Sequence, residues 1–143
     1  MDAAKYWSFR PFFTVPLAES LGASKQLQEA HRVVDKAIAF CCESGEVICE
    51  PELWRVRGEL LVRDKTDSAA NAVRCFERAL DMARSQRAKL WELRAAVSLG
   101  RLWAGQRERR RALDLLAPVY ESFTEGFETV DLREARLLLD SLR

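Results

Sequence analysis

The sequence predicts an all-α fold: an α-α superhelix, or solenoid, of about three helical hairpins closed by a C-terminal capping helix. Two observations carry that expectation. First, a small residue followed by an apolar one four positions on and another seven positions on occurs three times, as Ala30, Val34 and Ala37, as Ala72, Phe76 and Ala79, and as Ala112, Leu116 and Val119. The intervals are 42 and 40 residues, and a period in that range marks stacked supersecondary units. Second, each set is preceded by a stripe of its own, Leu17, Ala18 and Leu21, then Trp54, Gly58 and Leu61, then Leu99, Gly100 and Trp103. Residues three and four apart share one face of a helix. The small residues let two backbones approach, and the large ones fill the space beside them.

The hairpins are expected at about 11–43, 51–86 and 89–123, with the capping helix at about 131–142, all in one domain. Pro11 suits a first helical position, Gly22 suits a stop, and Pro16 between them predicts a kink or a late start. Ahead of this helix Tyr6, Trp7, Phe9, Phe12 and Phe13 crowd together. Terminal repeats normally turn a polar face outward, so these rings are expected either to fold back as a cap or to meet a preceding repeat of a longer chain.

The second helix is expected from Ser24 to Glu43, stopped by Ser44-Gly45, and the third from Pro51 to about Arg63. Asp67 or Ser68 is placed as the cap of the fourth helix. The fifth is expected from Lys89 to Ala104 with a turn at Gly105-Gln106, and the sixth from Glu108 to Ser122 with a bend at Pro118. Asp131-Leu132-Arg133-Glu134 has the spacing of a capping box. The helix it opens would bury Leu132, Ala135, Leu138, Leu139 and Leu142 and turn Arg133, Glu134, Arg136 and Asp140 to water.

The run from Trp54 to Ala79, W-x3-G-x2-L followed by A-x3-F-x2-A, resembles a tetratricopeptide repeat (TPR). Gly100-x2-Trp103 with Ala112 keeps the usual twelve-residue gap, although the period of about 40 exceeds the common 34. More narrowly, AKLWELRAAVSLGRLWAGQ with ALDLLAPVYESFTEGFETVDLREARLLLDSL is similar to the C-terminal end of large bacterial signalling proteins. In those, a class III adenylate cyclase or a transcription-regulatory domain and an ATPase domain precede a helical-repeat tail. The similarity is strongest over Leu53 to Leu142. It implies protein binding as the primary function, and a regulatory tail of a cyclase or ATPase as the alternative.

A chain of 143 residues with 48% hydrophobic and 31% charged residues has an ordinary soluble composition. No apolar run approaches the ~20 residues of a membrane span, and the first residues lack the pattern of a secretion signal. A cytoplasmic location is the expectation. The net charge is +1 but unevenly placed: 11 basic residues against 13 acidic in 1–83, 9 against 2 in 84–111, and 3 against 7 in 112–143. Such a band can steer an acidic partner, or it can be neutralised by neighbouring acidic helices.

No phosphate-binding glycine loop, dinucleotide fingerprint, zinc-protease helix or nucleophile elbow is present. One histidine, His31, leaves little for base catalysis, so no enzyme activity, cofactor or metal is expected. Cys41, Cys42 and Cys49 lack the paired spacing of a zinc site and are expected to be buried structural thiols, and all four cysteines, with Cys75, to be reduced. Arg107, Arg109, Arg110 and Arg111 sit at a hairpin turn interrupted by Glu108, which makes a non-specific nucleic-acid scaffold the weaker alternative.

In stacked tetratricopeptide hairpins the first helix of each pair lines the concave surface, and the positions three before and one after the glycine point inward. Transferred to this sequence, that resemblance implies a partner-binding groove of Arg55 and Glu59 from one hairpin and Val97 and Arg101 from the next, with Arg63 and Arg94 on the same stripes. Guanidinium forks pair well with carboxylates. The arginines therefore either receive an acidic peptide or protein, or another domain of a parent chain, or else form ion pairs within the fold.

Overall fold

A computed structural model describes residues 10–65 and 69–143, with side chains from residue 14 onward. The side chains of the aromatic stretch Tyr6 to Phe13, and the expected cap at Asp67 or Ser68, lie outside the described residues. Among the described residues the fold is all-α: α1 (Arg10–Ala23), α2 (Leu27–Ser44), α3 (Glu50–Arg63), α4 (Ala69–Ser85), α5 (Lys89–Gly105), α6 (Arg109–Glu121) and α7 (Val130–Leu142). No helix among them is long and apolar enough to cross a membrane.

Each helix packs on the next in sequence, and α1 also packs on α3, α3 on α5, and α5 on α7. The buried residues explain why. In α4 Ala72, Cys75, Phe76, Ala79, Leu80 and Ala83 are buried, a stripe with helical period facing one way. In α5 the run Ala95 to Gly100 is buried without interruption, together with Leu93 and Trp103. A helix buried all round must be covered on several sides, and α3, α4, α6 and α7 supply the cover.

The interior falls into two clusters. One joins Ala18, Ala30, Val34, Leu53 and Leu60 from α1 to α3; the other joins Phe76, Leu93, Leu99, Leu116 and Leu139 from α4 to α7. Trp54 packs against both. Its ring also lies under the guanidinium of Arg78 at 4.6 Å and near that of Arg57 at 5.3 Å. Burying one such leucine or phenylalanine stabilises by about 1.5–3 kcal/mol, against about 0–1 kcal/mol for an exposed ion pair, so these clusters dominate the energetics.

Two glycines mark where the helices come closest. A Cβ on Gly58 would lie 2.5 Å from the ring of Phe76, and one on Gly22 would lie 2.8 Å from Leu60 Cδ2. Gly22 therefore serves the packing of α1 on α3 rather than stopping α1, which runs on to Ala23. The stop comes at Lys25, in the left-handed region with φ 65°. The same closure recurs at Arg87 (φ 55°) and Arg107 (φ 66°). At each turn the next residue's N–H reaches back five positions, Gln26 to Leu21, Ala88 to Ala83 and Glu108 to Trp103, the Schellman arrangement.

Several local expectations are corrected. Helix α2 begins at Leu27, not Ser24; the Ser24 hydroxyl donates to the Leu21 carbonyl and so closes α1. Pro16 does not delay α1, which starts six residues earlier at Arg10; Pro118 lies inside α6, as expected, and that helix runs on to Glu121. The α5–α6 turn, expected at Gly105-Gln106, lies one residue later, since α5 runs through Gly105 and Arg107 is the left-handed residue. The capping box at Asp131 is not formed: α7 starts at Val130 after Thr129, which makes no side-chain cap, because Asp131 is engaged across the fold. Cys42 is exposed, pointing away from the face of α2 that buries Cys41.

Candidate binding cleft

On the side where α1, α3, α5 and α7 follow one another, Glu19, Arg55, Arg94, Val97, Ser98, Arg101, Asp131 and Glu134 surround a cavity of about 230 Å3. Four of the six residues expected in a groove are thus brought together. Glu59 is not part of the lining but is bonded to it, accepting a hydrogen bond from Ser98 Oγ at 2.6 Å and lying 3.9 Å from Arg55. Arg63 is elsewhere, its guanidinium against Gly22 at the far end of α3.

The charges are paired across helices. Arg55 donates through Nε and Nη2 to both oxygens of Glu52 at 3.0 and 3.2 Å, and through Nη2 to Glu19 at 2.8 Å. Its side chain is 13% exposed. Burial by itself would lower its pKa, but Glu52 and then Glu19 outweigh that and hold it above the ordinary guanidinium value. Arg94 donates to both oxygens of Asp131 at 3.0 and 3.2 Å and to Glu52 Oε2 at 3.2 Å. Its pKa is likewise raised: burial pulls it down, and Asp131 and Glu52 more than compensate. Arg101 pairs with Glu134 at 3.1 Å and stays half exposed. A relay Glu19, Arg55, Glu52, Arg94, Asp131 therefore runs from α1 through α3 and α5 to α7.

Beside this polar cavity lies a second, of about 200 Å3, lined by Val15, Pro16, Glu19, Cys49, Glu52, Trp91 and Arg94. Glu19 and Arg94 form part of both walls, so the two cavities adjoin, one largely apolar and the other polar. A third cavity, of about 320 Å3 between α4, α5 and α6, touches none of the residues expected in the groove.

The carboxylates that fill the cleft were not expected. Glu52 carries a local signal, three positions before Arg55 on the same helix face. Glu19 and Asp131 carry none, since their arginines are 36 and 37 residues away in sequence.

Of the thiols, Cys49 lines the second cavity. Burial, and then the Glu50 carboxylate, push Cys41 up to about 11, and burial and then Glu46 raise Cys49. None of the four cysteines is in a disulfide, and among the described residues no three His, Cys, Asp or Glu side chains converge as a metal site. Nε2 of His31 is buried without a hydrogen bond, 3.8 Å from Asp64. Compared with protein-family models, curated proteins and solved structures, the chain matches none.

Proposed function

We propose that this chain is a non-catalytic protein-binding module: three tetratricopeptide-like hairpins stacked as a solenoid, with α7 as the capping helix. Its concave face is the cleft, and a peptide or protein segment lies in it. The observation that carries this reading is that alternate helices pack on one another, α1 on α3, α3 on α5 and α5 on α7, while the face they share holds two adjoining cavities of opposite character. A cleft with an apolar end and fixed polar groups suits a ligand held by one anchor and oriented by hydrogen bonds. If the chain serves as the regulatory tail of a larger signalling protein, the segment held there belongs to a neighbouring domain.

A photo-crosslinking side chain at Arg101, in the cleft, and at Arg74, exposed on α4 away from it, tests the proposal in cells. Discrete adducts formed from position 101 and not from 74 support it. Equal labelling from both positions, or none from 101, overturns it.

A further inference from the structure

The charge of the cleft identifies the kind of segment it takes, an inference that rests on the proposal that the cleft binds a peptide. Arginines taken alone point to an acidic partner, but their surroundings reverse the sign. Among the described residues, four carboxylates, Glu19, Glu52, Asp131 and Glu134, line the two cavities against three guanidiniums. Glu59, bonded to Ser98 of the lining, makes a fifth.

The pairing sharpens this imbalance. Arg55 and Arg94 each bond two acids and are 13% and 37% exposed, so an incoming carboxylate would have to displace one of those acids and leave it in a partly shielded site. Glu19 and Glu134, by contrast, stand at the rim about half exposed, each with a single arginine partner. A carboxylate has lone pairs for several donors, so both can accept a further cation without surrendering the one they hold. The excess negative charge favours that cation, and the low-dielectric walls concentrate the field.

We infer that the occupant is a peptide segment with an aliphatic side chain seated among Val15, Pro16 and Trp91 and a lysine or arginine a residue or two away, its cation between Glu19 and Glu134. The apolar end fixes position, and the rim carboxylates select the sign of charge.

Three capped tripeptide amides test this on the whole chain by amide and indole NMR titration: acetyl-Leu-Gly-Lys, acetyl-Leu-Gly-Gln and acetyl-Leu-Gly-Glu. The lysine probe is expected to shift the Trp91 indole signal and to bind about tenfold more tightly than the glutamate probe at low salt, as expected for one added ion pair at a partly shielded rim. The preference should shrink in moderate salt and vanish in the Glu19→Gln, Glu134→Gln double variant. A glutamate probe that binds as well as or better than lysine in the unaltered protein overturns the basic-segment inference while leaving a peptide-binding cleft in place. If no probe moves Trp91 or its neighbours, both the inference and the cleft proposal fail.

Discussion

Arg94 grips Asp131 with two hydrogen bonds, at 3.0 and 3.2 Å, and so ties the middle of the molecule to the first turn of its last helix. The carboxylate that sequence spacing assigns to a helix cap is spent on this tertiary contact instead. Asp131→Asn is expected to cost about 1 kcal/mol, because Arg94 keeps Glu52 and remains partly exposed. Arg55→Met should cost about 3 kcal/mol, since it leaves the buried Glu52 with one partner. Urea unfolding of both variants checks the order, and equal losses would contradict the difference in burial.

Gly58 and Gly100 occupy matching places in two hairpins but respond differently to a methyl group. At Gly58 a Cβ would collide with the fully buried ring of Phe76, whereas at Gly100 the nearest atom, Leu138 Cδ2, is 3.4 Å away. Gly58→Ala should therefore destabilise by about 1–3 kcal/mol. Gly100→Ala should stabilise by about 0.5–1 kcal/mol through helix propensity alone. Thermal melts of the two variants are expected to move in opposite directions.

Three turns place a long basic side chain where glycine is most at ease. Arg107, at φ 66°, is the simplest case. Arg107→Gly should gain about 1 kcal/mol by relieving the left-handed backbone, less a few tenths for the extra freedom of the unfolded chain. An unchanged or lower melting temperature would show that Arg107 supplies a contact of its own.

The thiols should separate by reactivity. At about pH 8 iodoacetamide is expected to label exposed Cys42 first and Cys49 more slowly, with Cys41 and Cys75 protected until unfolding. Folding raises Cys41 from 9.0 to about 11. Its contribution to stability is therefore complete below about pH 9 and is lost as pH rises towards 11. Cys41→Ala should flatten that alkaline loss, as read by unfolding midpoints against pH.

The helices were legible because their signal is local. Ala72, Phe76 and Ala79 repeat the spacing of Ala112, Leu116 and Val119, and all six are buried. Where a local signal competed with a tertiary one, the tertiary one won: Gly22 reads as a stop, yet its missing side chain makes room for Leu60. The cleft was half legible. The resemblance to tetratricopeptide hairpins implied Arg55, Val97 and Arg101, with Arg94 on the same stripe, but nothing in their neighbourhoods announces Glu19, Asp131, Trp91 or Val15. Those come from elements brought alongside only by folding.

Glu52 accepts from Arg55 on one side and Arg94 on the other, and these reach Glu19 and Asp131 in turn. Rigidity at the two rims is thereby shared: loosening either one slackens the chain of bonds that steadies its opposite, while the greasy interior stays intact. A thermodynamic cycle pairing Glu19→Gln with Asp131→Asn should accordingly depart from additivity by about 0.5 kcal/mol or more, although these two residues belong to the first and last helices and share no bond.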